Sequence, residues 1–325
     1  NLNEYTLKWE IVRGEEVVSS GEGYYDLEPL STGFIDLGIN VTPHQEEQVI
    51  TISICLKEDT MFAPCGHEVA FGQLIVDAVK EEEIHPVKAF QIANGDVNVG
   101  ISGEGFEVIF AKNLGRMVSM KYDGIEYIHQ PNLSLMPNFW RASTDNDRGN
   151  QAPIRMAQWK LASMYAFNEF MEINRLEEGL EVIFTYNLNT MPVSHAIVKY
   201  FINSYGQIHV TMSYEGVEGL PNMFKFGMDL AIPCEFNTLT RRGFGPDETY
   251  ADREFGARYG TFTNQVADNL AAYVIPQACG NHTGVRYATL TNESGAGLKI
   301  TGDAPLSFSA LPYTSHELEA AFHHY

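Results

Sequence analysis

The sequence predicts an all-β protein: a small immunoglobulin-type sandwich followed by a larger antiparallel sandwich. Three observations lead there. Apolar residues alternate with polar ones in run after run, which is the period of a half-buried strand. Gly, Pro and Asp-Gly punctuate those runs as turns do. Only residues 153–166 and the tail from Thr314 carry helical signals.

The elements follow in order. Tyr5, Leu7, Trp9 and Ile11 alternate with Thr6, Lys8 and Glu10, and Ile50, Ile52, Ile54 and Leu56 alternate with Thr51, Ser53 and Cys55. With the run Val69–Val76 and turns at Gly21 to Gly23, Pro29 and Pro43, these predict the first sandwich over residues 1–84. Lys80-Glu81-Glu82-Glu83-Ile84-His85-Pro86 predicts a linker, since Pro86 breaks an edge strand. The second domain is expected over 85–325, opening near Phe90. Val118 to Tyr122, Asp123-Gly124 and Ile125 to Ile128 spell a hairpin with a tight positive-φ turn. Leu180–Tyr186, Val198–Ile202 and, after Tyr205-Gly206, Ile208–Tyr214 predict a meander of long strands. Thr314-Ser315-His316-Glu317 is a capping box, with Leu318, Ala321 and Phe322 on one face of the helix it opens.

Composition limits the partners. The chain has 325 residues, 44% of them hydrophobic, enough for two packed cores. A formal charge of −21 argues against nucleic acid and anionic membranes and is compatible with neutral sugars. No run is long and apolar enough to span a bilayer, and no signal peptide opens the chain. Cys55, Cys65, Cys234 and Cys279 form no CxxC pair, so free buried thiols are expected, with a Cys55–Cys65 bridge as the alternative. Asn1 rather than Met at the start points to a processed chain or a piece of a longer one.

Two loop-like runs carry the candidate chemistry. The first is Phe139-Trp140-Arg141-Ala142-Ser143-Thr144-Asp145-Asn146-Asp147-Arg148-Gly149, and the second is Gly243-Phe244-Gly245-Pro246-Asp247-Glu248-Thr249-Tyr250-Ala251-Asp252-Arg253. Short kinked segments rich in acids, arginine and aromatics suit a ligand with many hydroxyls. Other chemistries fit poorly. His323-His324 cannot chelate as an i, i+4 pair would, so no metal site is expected. No G-x-S-x-G elbow and no strand-borne GxGxxG occur. Glycoside hydrolysis needs two carboxyl groups, one with a raised pKa. Asp145, Asp147, Asp247, Glu248 and Asp252 sit in polar segments that do little to raise one, so a structural or substrate-lining role is favoured. Trp140 is the foremost candidate to stack on a sugar; Trp159 and Tyr250 read as core.

These residues resemble a known family. Trp140 to Gly149 resembles the RAPxDND-x-G signature of glycoside hydrolase family 2 β-galactosidases, with Ser143 where the signature has Pro. Gly243 to Arg253 is similar to GxGPxExYxDR, with Gly243, Gly245, Pro246, Glu248, Tyr250, Asp252 and Arg253 in a structural role. Tyr273-Val274-Ile275-Pro276-Gln277 with Gly280, Arg286 and Tyr287 is similar to Y-x-x-P-x-E-x-G-x-R, with Gln277 and the spacing altered. His67-Glu68-Val69-Ala70 resembles the end of the immunoglobulin-like domain that precedes the first signature.

The resemblance implies an immunoglobulin-like sandwich, then a galactose mutarotase-like β-supersandwich that lacks its last strands. It implies the C-terminal part of an enzyme that hydrolyses terminal β-galactosides such as lactose with retention. The catalytic glutamates would lie on a TIM barrel outside this chain, so the isolated chain is expected to be inactive. Trp140, Arg141, Asp145, Asn146, Asp147 and Gly149 would form the rim or gating loop of the active site; Gly149 suits a loop that reorders. The implied partners are the barrel, a galactoside reached through the parent's active site, and a second copy through uncovered surface. No cofactor is expected in this chain; any Mg²⁺ or monovalent cation the parent uses would sit in its other domains. The cytoplasm is the expected compartment, with the periplasm as the alternative. Two rivals remain at this stage: a stand-alone carbohydrate-binding module, and a mutarotase-like epimerase using His195, His209 or His282.

Overall fold

The computed structural model describes residues 2–23, 25, 27–28, 30–78 and 85–323. Pro29, most of the expected linker (residues 80–84 of 80–86) and His324 lie outside the described residues.

The first region is one antiparallel sheet of four strands, β1 (Tyr5–Arg13), β2 (Glu16–Gly23), β3 (Gln48–Leu56) and β4 (Glu68–Val76), in the order β2-β1-β3-β4. Alternation gives it two unlike faces. Leu7, Trp9, Ile11, Ile50, Ile52 and Ile54 share one face, and Lys8, Glu10, Thr51 and Ser53 the other. The layer over the apolar face is irregular chain among the described residues. Ile39 and Val41 line an apolar hollow with Ile50, Ile52 and Leu74, and Gln48 Nε2 donates to the Thr42 carbonyl at 2.8 Å.

The second region builds four sheets. β5 (Phe90–Asn94), β6 (Asn98–Gly103), β7 (Phe106–Ala111), β8 (Arg116–Tyr122) and β9 (Ile125–Glu126) form an ordered meander. Asp123 and Gly124 turn β8 into β9 with φ of 50° and 81°, which the Asp-Gly pair accommodates with little strain. β10 (Ser134–Asn138) leads through an irregular connection to α1 (Asp145–Gly149), α2 (Ala152–Arg155) and α3 (Ala157–Tyr165). The meander predicted for 180–214 is present as β12 (Gly179–Asn187), β13 (His195–Asn203) and β14 (Ile208–Tyr214), with β11 (Phe167–Arg175) added at its edge. β15 (Gly227–Leu230) pairs with β10. The last sheet is ordered β17-β16-β18-β19, from β16 (Thr238–Gly245), β17 (Arg258–Gln265), β18 (Asn281–Thr291) and β19 (Gly297–Ser309). The tail helix α4 (Ser315–Ala320) opens on the expected capping box at Thr314 and Glu317. It ends before Ala321. Leu318 is buried as expected, whereas Phe322 lies past the helix and is exposed.

The inner faces of three sheets merge into one core. Val108 and Phe110, then Val182, Phe184, Val198 and Tyr200, then Leu239 and Val285 are each completely buried in it. Phe110 packs against Phe184 and Tyr200 at ring distances of 6.1 and 5.2 Å. All four cysteines are free; Cys55 and Cys279 are buried as expected, but Cys65 and Cys234 are exposed.

The two regions are tied through Glu47, just before β3. Its carboxylate accepts from Arg242 Nε at 2.6 Å, Arg286 Nε at 3.1 Å and the Tyr259 hydroxyl at 3.0 Å. Burial, then the Glu47 charge, pushes the Tyr259 pKa up to about 12, so the phenol stays a donor. Gln73 adds a bond to the Tyr259 backbone at 2.7 Å. Removing the acid strands the buried Arg242 guanidinium. We therefore expect Glu47→Ala to cost about 3 kcal/mol in urea unfolding. It should also split off an early transition seen by Trp9 fluorescence; a single unshifted transition would refute the coupling.

Candidate functional site

The first motif is a folded corner. Asn138 Oδ1 accepts from the Trp140 amide at 2.8 Å and turns the chain out of β10. Thr144 then caps α1: its hydroxyl accepts from the Asp147 amide, and the Asp147 carboxylate accepts from the Thr144 amide at 2.8 Å. Arg141 closes on that carboxylate with two bonds, of 2.5 and 3.2 Å, and lies over the Phe224 ring at 4.8 Å. Burial works to raise the Asp147 pKa, but Arg141 and Thr144 outweigh it and hold the acid below its ordinary value. Asp147 is thus a buried anion within a helix cap, where the sequence suggested a solvated loop.

Trp140 is also corrected. It is 1% exposed, packs edge-on to Phe224 at 4.8 Å and donates from Nε1 to Glu319 at 3.0 Å. With both faces in the core, its ring offers a sugar no surface to stack on. Glu319, in α4, also accepts from Ser143 Oγ at 2.7 Å and Lys160 Nζ at 2.5 Å. Burial opposes its ionisation, and Lys160, Ser143 and Trp140 together outweigh that and keep its pKa low. No local pattern announces this anchor, because its donors lie 159 or more residues away in the chain. Of the remaining rim candidates, Asp145, Asn146 and Gly149 are exposed on α1.

The second motif departs from the expected loop at its start. Gly243 and Gly245 belong to strand β16. A Cβ on Gly243 would come 3.0 Å from Val285 Cα and 3.1 Å from the Thr283 carbonyl, so the neighbouring strand would have to give way to any larger residue. After Pro246, Glu248 becomes a hub. It accepts from the Gly280 amide at 2.7 Å and the Tyr273 hydroxyl at 3.3 Å, and it pairs with Arg253, whose guanidinium lies over the Tyr250 ring. The hydrogen bond to Glu248 outweighs a smaller effect of burial and raises the Arg253 pKa. Burial, then the Glu248 charge, raises the pKa of both Tyr250 and Tyr273. Asp247 and Asp252 are exposed beside this hub.

The third stretch joins the other two. Gln277 accepts from the Asp145 amide at 3.0 Å, and Arg148 spans from Asp145 at 3.2 Å to the Pro276 carbonyl at 3.0 Å. Three residues on, the Gly280 amide reaches Glu248. Gly280 has φ of +67°, and a Cβ there would meet the Asn269 carbonyl at 2.6 Å, so only glycine fits.

The three histidines considered for epimerisation do not converge on one site. His195 is bonded to Glu169 at 2.7 Å, and His209 faces Asp303 at 3.9 Å. The strand register places these two histidines about 20 Å apart along one sheet. His282 is buried in another sheet. Among the described residues, no cluster of metal-ligating side chains occurs, and no helix is long and apolar enough to cross a membrane.

Comparison with known proteins accords with this geometry. Residues 102–325 match the family described as the β-galactosidase small chain, and residues 1–77 match β-galactosidase domain 4. The chain belongs to the β-galactosidase family. It is 34% identical to the β-galactosidase of Streptococcus thermophilus over 100% of this chain and 31% of that protein. It is 36% identical to the Halalkalibacterium halodurans enzyme over 99% of this chain and 32% of that protein. A β-galactosidase small subunit from Latilactobacillus sakei is 32% identical over 73% of this chain and 83% of the subunit. The chain thus spans about a third of the length of the first two relatives.

His282 is 2% exposed, and neither ring nitrogen meets a partner at hydrogen-bond geometry among the described residues. Burial first, and Arg241 second, lower its pKa from 6.5 to about 4, with the Asp247 backbone and then the Glu248 charge pulling the other way. The neutral form belongs to the folded state. Its contribution is therefore complete above pH 6.5 and is lost as pH falls through 4, at most about 3 kcal/mol. His316, also depressed by burial, acts with the same sign. Urea midpoints at pH 7.5 and 4.5 should converge in His282→Phe relative to the unaltered chain; an unchanged gap would exclude His282 as a source of acid lability.

Proposed function

We propose that this chain is the non-catalytic part of a β-galactosidase that hydrolyses terminal β-D-galactosides with retention. It acts as scaffold and active-site rim for a barrel that carries the catalytic glutamates. The observation that carries this reading is the state of the motif acids. A retaining glycosidase needs a nucleophile and a second carboxyl that holds its proton near neutral pH. Asp147 is locked by Arg141 and held at a low pKa, and Glu248 is locked by Arg253 and three further donors. Asp145, Asp247 and Asp252 are exposed, without the buried, cation-free setting that a carboxyl acting as general acid needs.

Asp145, Asn146 and Gly149 form the part of the rim that faces the substrate, with Trp140, Arg141 and Asp147 supporting them from beneath. The substrate is a galactoside held mainly by the barrel, and the barrel is the partner that the motif side of the second domain packs against. Free, exposed Cys65 and Cys234 favour a reducing compartment such as the cytoplasm.

The purified chain is expected to be inert toward nitrophenyl β-galactoside. Mixed with a barrel-containing polypeptide of a family member deleted of its own small chain, it should raise hydrolysis roughly 10²-fold or more above either part, as completing a site does. Turnover by the chain alone that disappears in an Asp145, Asp147 and Glu248 triple variant would overturn the proposal.

A further inference from the structure

Ser143 stands between the Arg141 side chain that grips Asp147 and the Thr144 cap of α1, and the structure shows what the serine does. Its side chain is buried, and its hydroxyl donates to Glu319 at 2.7 Å. Its backbone N–H has no hydrogen-bond partner among the described residues. A proline there would lose no hydrogen bond and would restrict the chain by fixing φ. The serine leaves the backbone freer and ties it instead to α4, across 176 residues of sequence.

Glu319 is suited to receive that tie. It is held from three directions, by Trp140 and Ser143 of the corner and by Lys160 of α3, so it is an immobile acceptor. Immediately beyond Ser143, Thr144 caps α1. A five-residue helix has little stability of its own, so its position is set by what holds its ends. Gln277 and Arg148 hold α1 toward the third stretch, and Arg141 holds its first turn. The Ser143–Glu319 contact is the brace on the remaining side.

We propose that Ser143 and Glu319 are positioning residues: their hydrogen bond fixes α1, with its exposed Asp145–Asn146 edge, relative to the tail helix. The consequence for substrate rests on the β-galactosidase reading, whereas the brace itself does not.

The test uses both the chain alone and the reconstituted enzyme. Trypsin cuts after Arg148 only when α1 opens, so the cleavage rate reads the brace. Ser143→Ala should accelerate that cut about five- to tenfold, the equivalent of one lost hydrogen bond, with little change in the urea midpoint. Ser143→Thr, which keeps the hydroxyl, and Ser143→Pro, which restricts the backbone instead, should both keep the rate near that of the unaltered chain. In a Glu319→Ala background, Ser143→Ala should add nothing. With the barrel polypeptide, Ser143→Ala should raise KM about threefold or more at unchanged kcat, and Ser143→Pro should reverse it. An unaltered cutting rate in Ser143→Ala, or an equally strong effect without Glu319, would overturn the brace. An unchanged KM in an active complex would overturn its role in substrate positioning. Failure of the unaltered chain to reconstitute any activity would sink the β-galactosidase reading, while the proteolysis still decides the brace.

Discussion

A carboxylate drawn out of water must bring a cation or several donors with it, and this acidic chain does so at each of its joints. Glu47 meets Arg242 and Arg286 where the two regions touch. Asp147 meets Arg141 under α1, Glu248 meets Arg253 beside the third stretch, and Glu319 meets Lys160 under the tail helix. With only 21 lysines and arginines against 42 acids, cations are scarce. Placing them at these four sites leaves most remaining acids to solvent. The sheets would bury their apolar faces without such pairs, but the connections between them would be free to choose other arrangements.

The preference for arginine at three of the four joints has a geometric basis. A guanidinium can grip a carboxylate with two donors while its flat face lies on an aromatic ring. Arg141 does this between Asp147 and Phe224, and Arg253 sits between Glu248 and Tyr250. Arg242 lies over Tyr259 while it bonds Glu47. Each joint therefore fixes an orientation as well as a charge balance, which a lysine on a flexible stem would do less well. Lys160 at Glu319 is the exception, and there Trp140 and Ser143 supply the direction.

Much of the fold was legible because its signals are local. Period-two alternation located β1, β3, β12, β13 and β14, and Asp123-Gly124 and Thr314-Glu317 declared their turn and cap. What a residue touches at long range was not legible. Trp140 beside an acid-rich run looked like a wet aromatic, yet its burial is decided by Phe224 and by Glu319, 179 residues away. Gly243 and Gly245 looked like loop glycines because proline and acids follow them; the reason for glycine is the close approach of β18 and of the Phe262 ring, which no neighbouring residue reveals. The irregular layer over the first sheet was hidden for a related reason: Ile39 and Val41 cover apolar surface without the regular alternation that announces a strand.

The same chemistry separates the two tasks that acids perform around a sugar. A carboxyl that donates a proton to a leaving oxygen must be poorly solvated and lack a cation. One that receives hydrogen bonds from hydroxyl groups must stay ionised and hold still. Every buried acid in the motifs of this chain belongs to the second kind or to the scaffold, since arginine, lysine or amide donors stabilise its charge. Asp145 has its amide fixed by Gln277 and one oxygen near Arg148, yet its side chain remains largely open to water. That combination, a solvent-open carboxylate on a short helix tied to the third stretch, presents a hydrogen-bond acceptor at the surface and lacks the burial that a general acid needs.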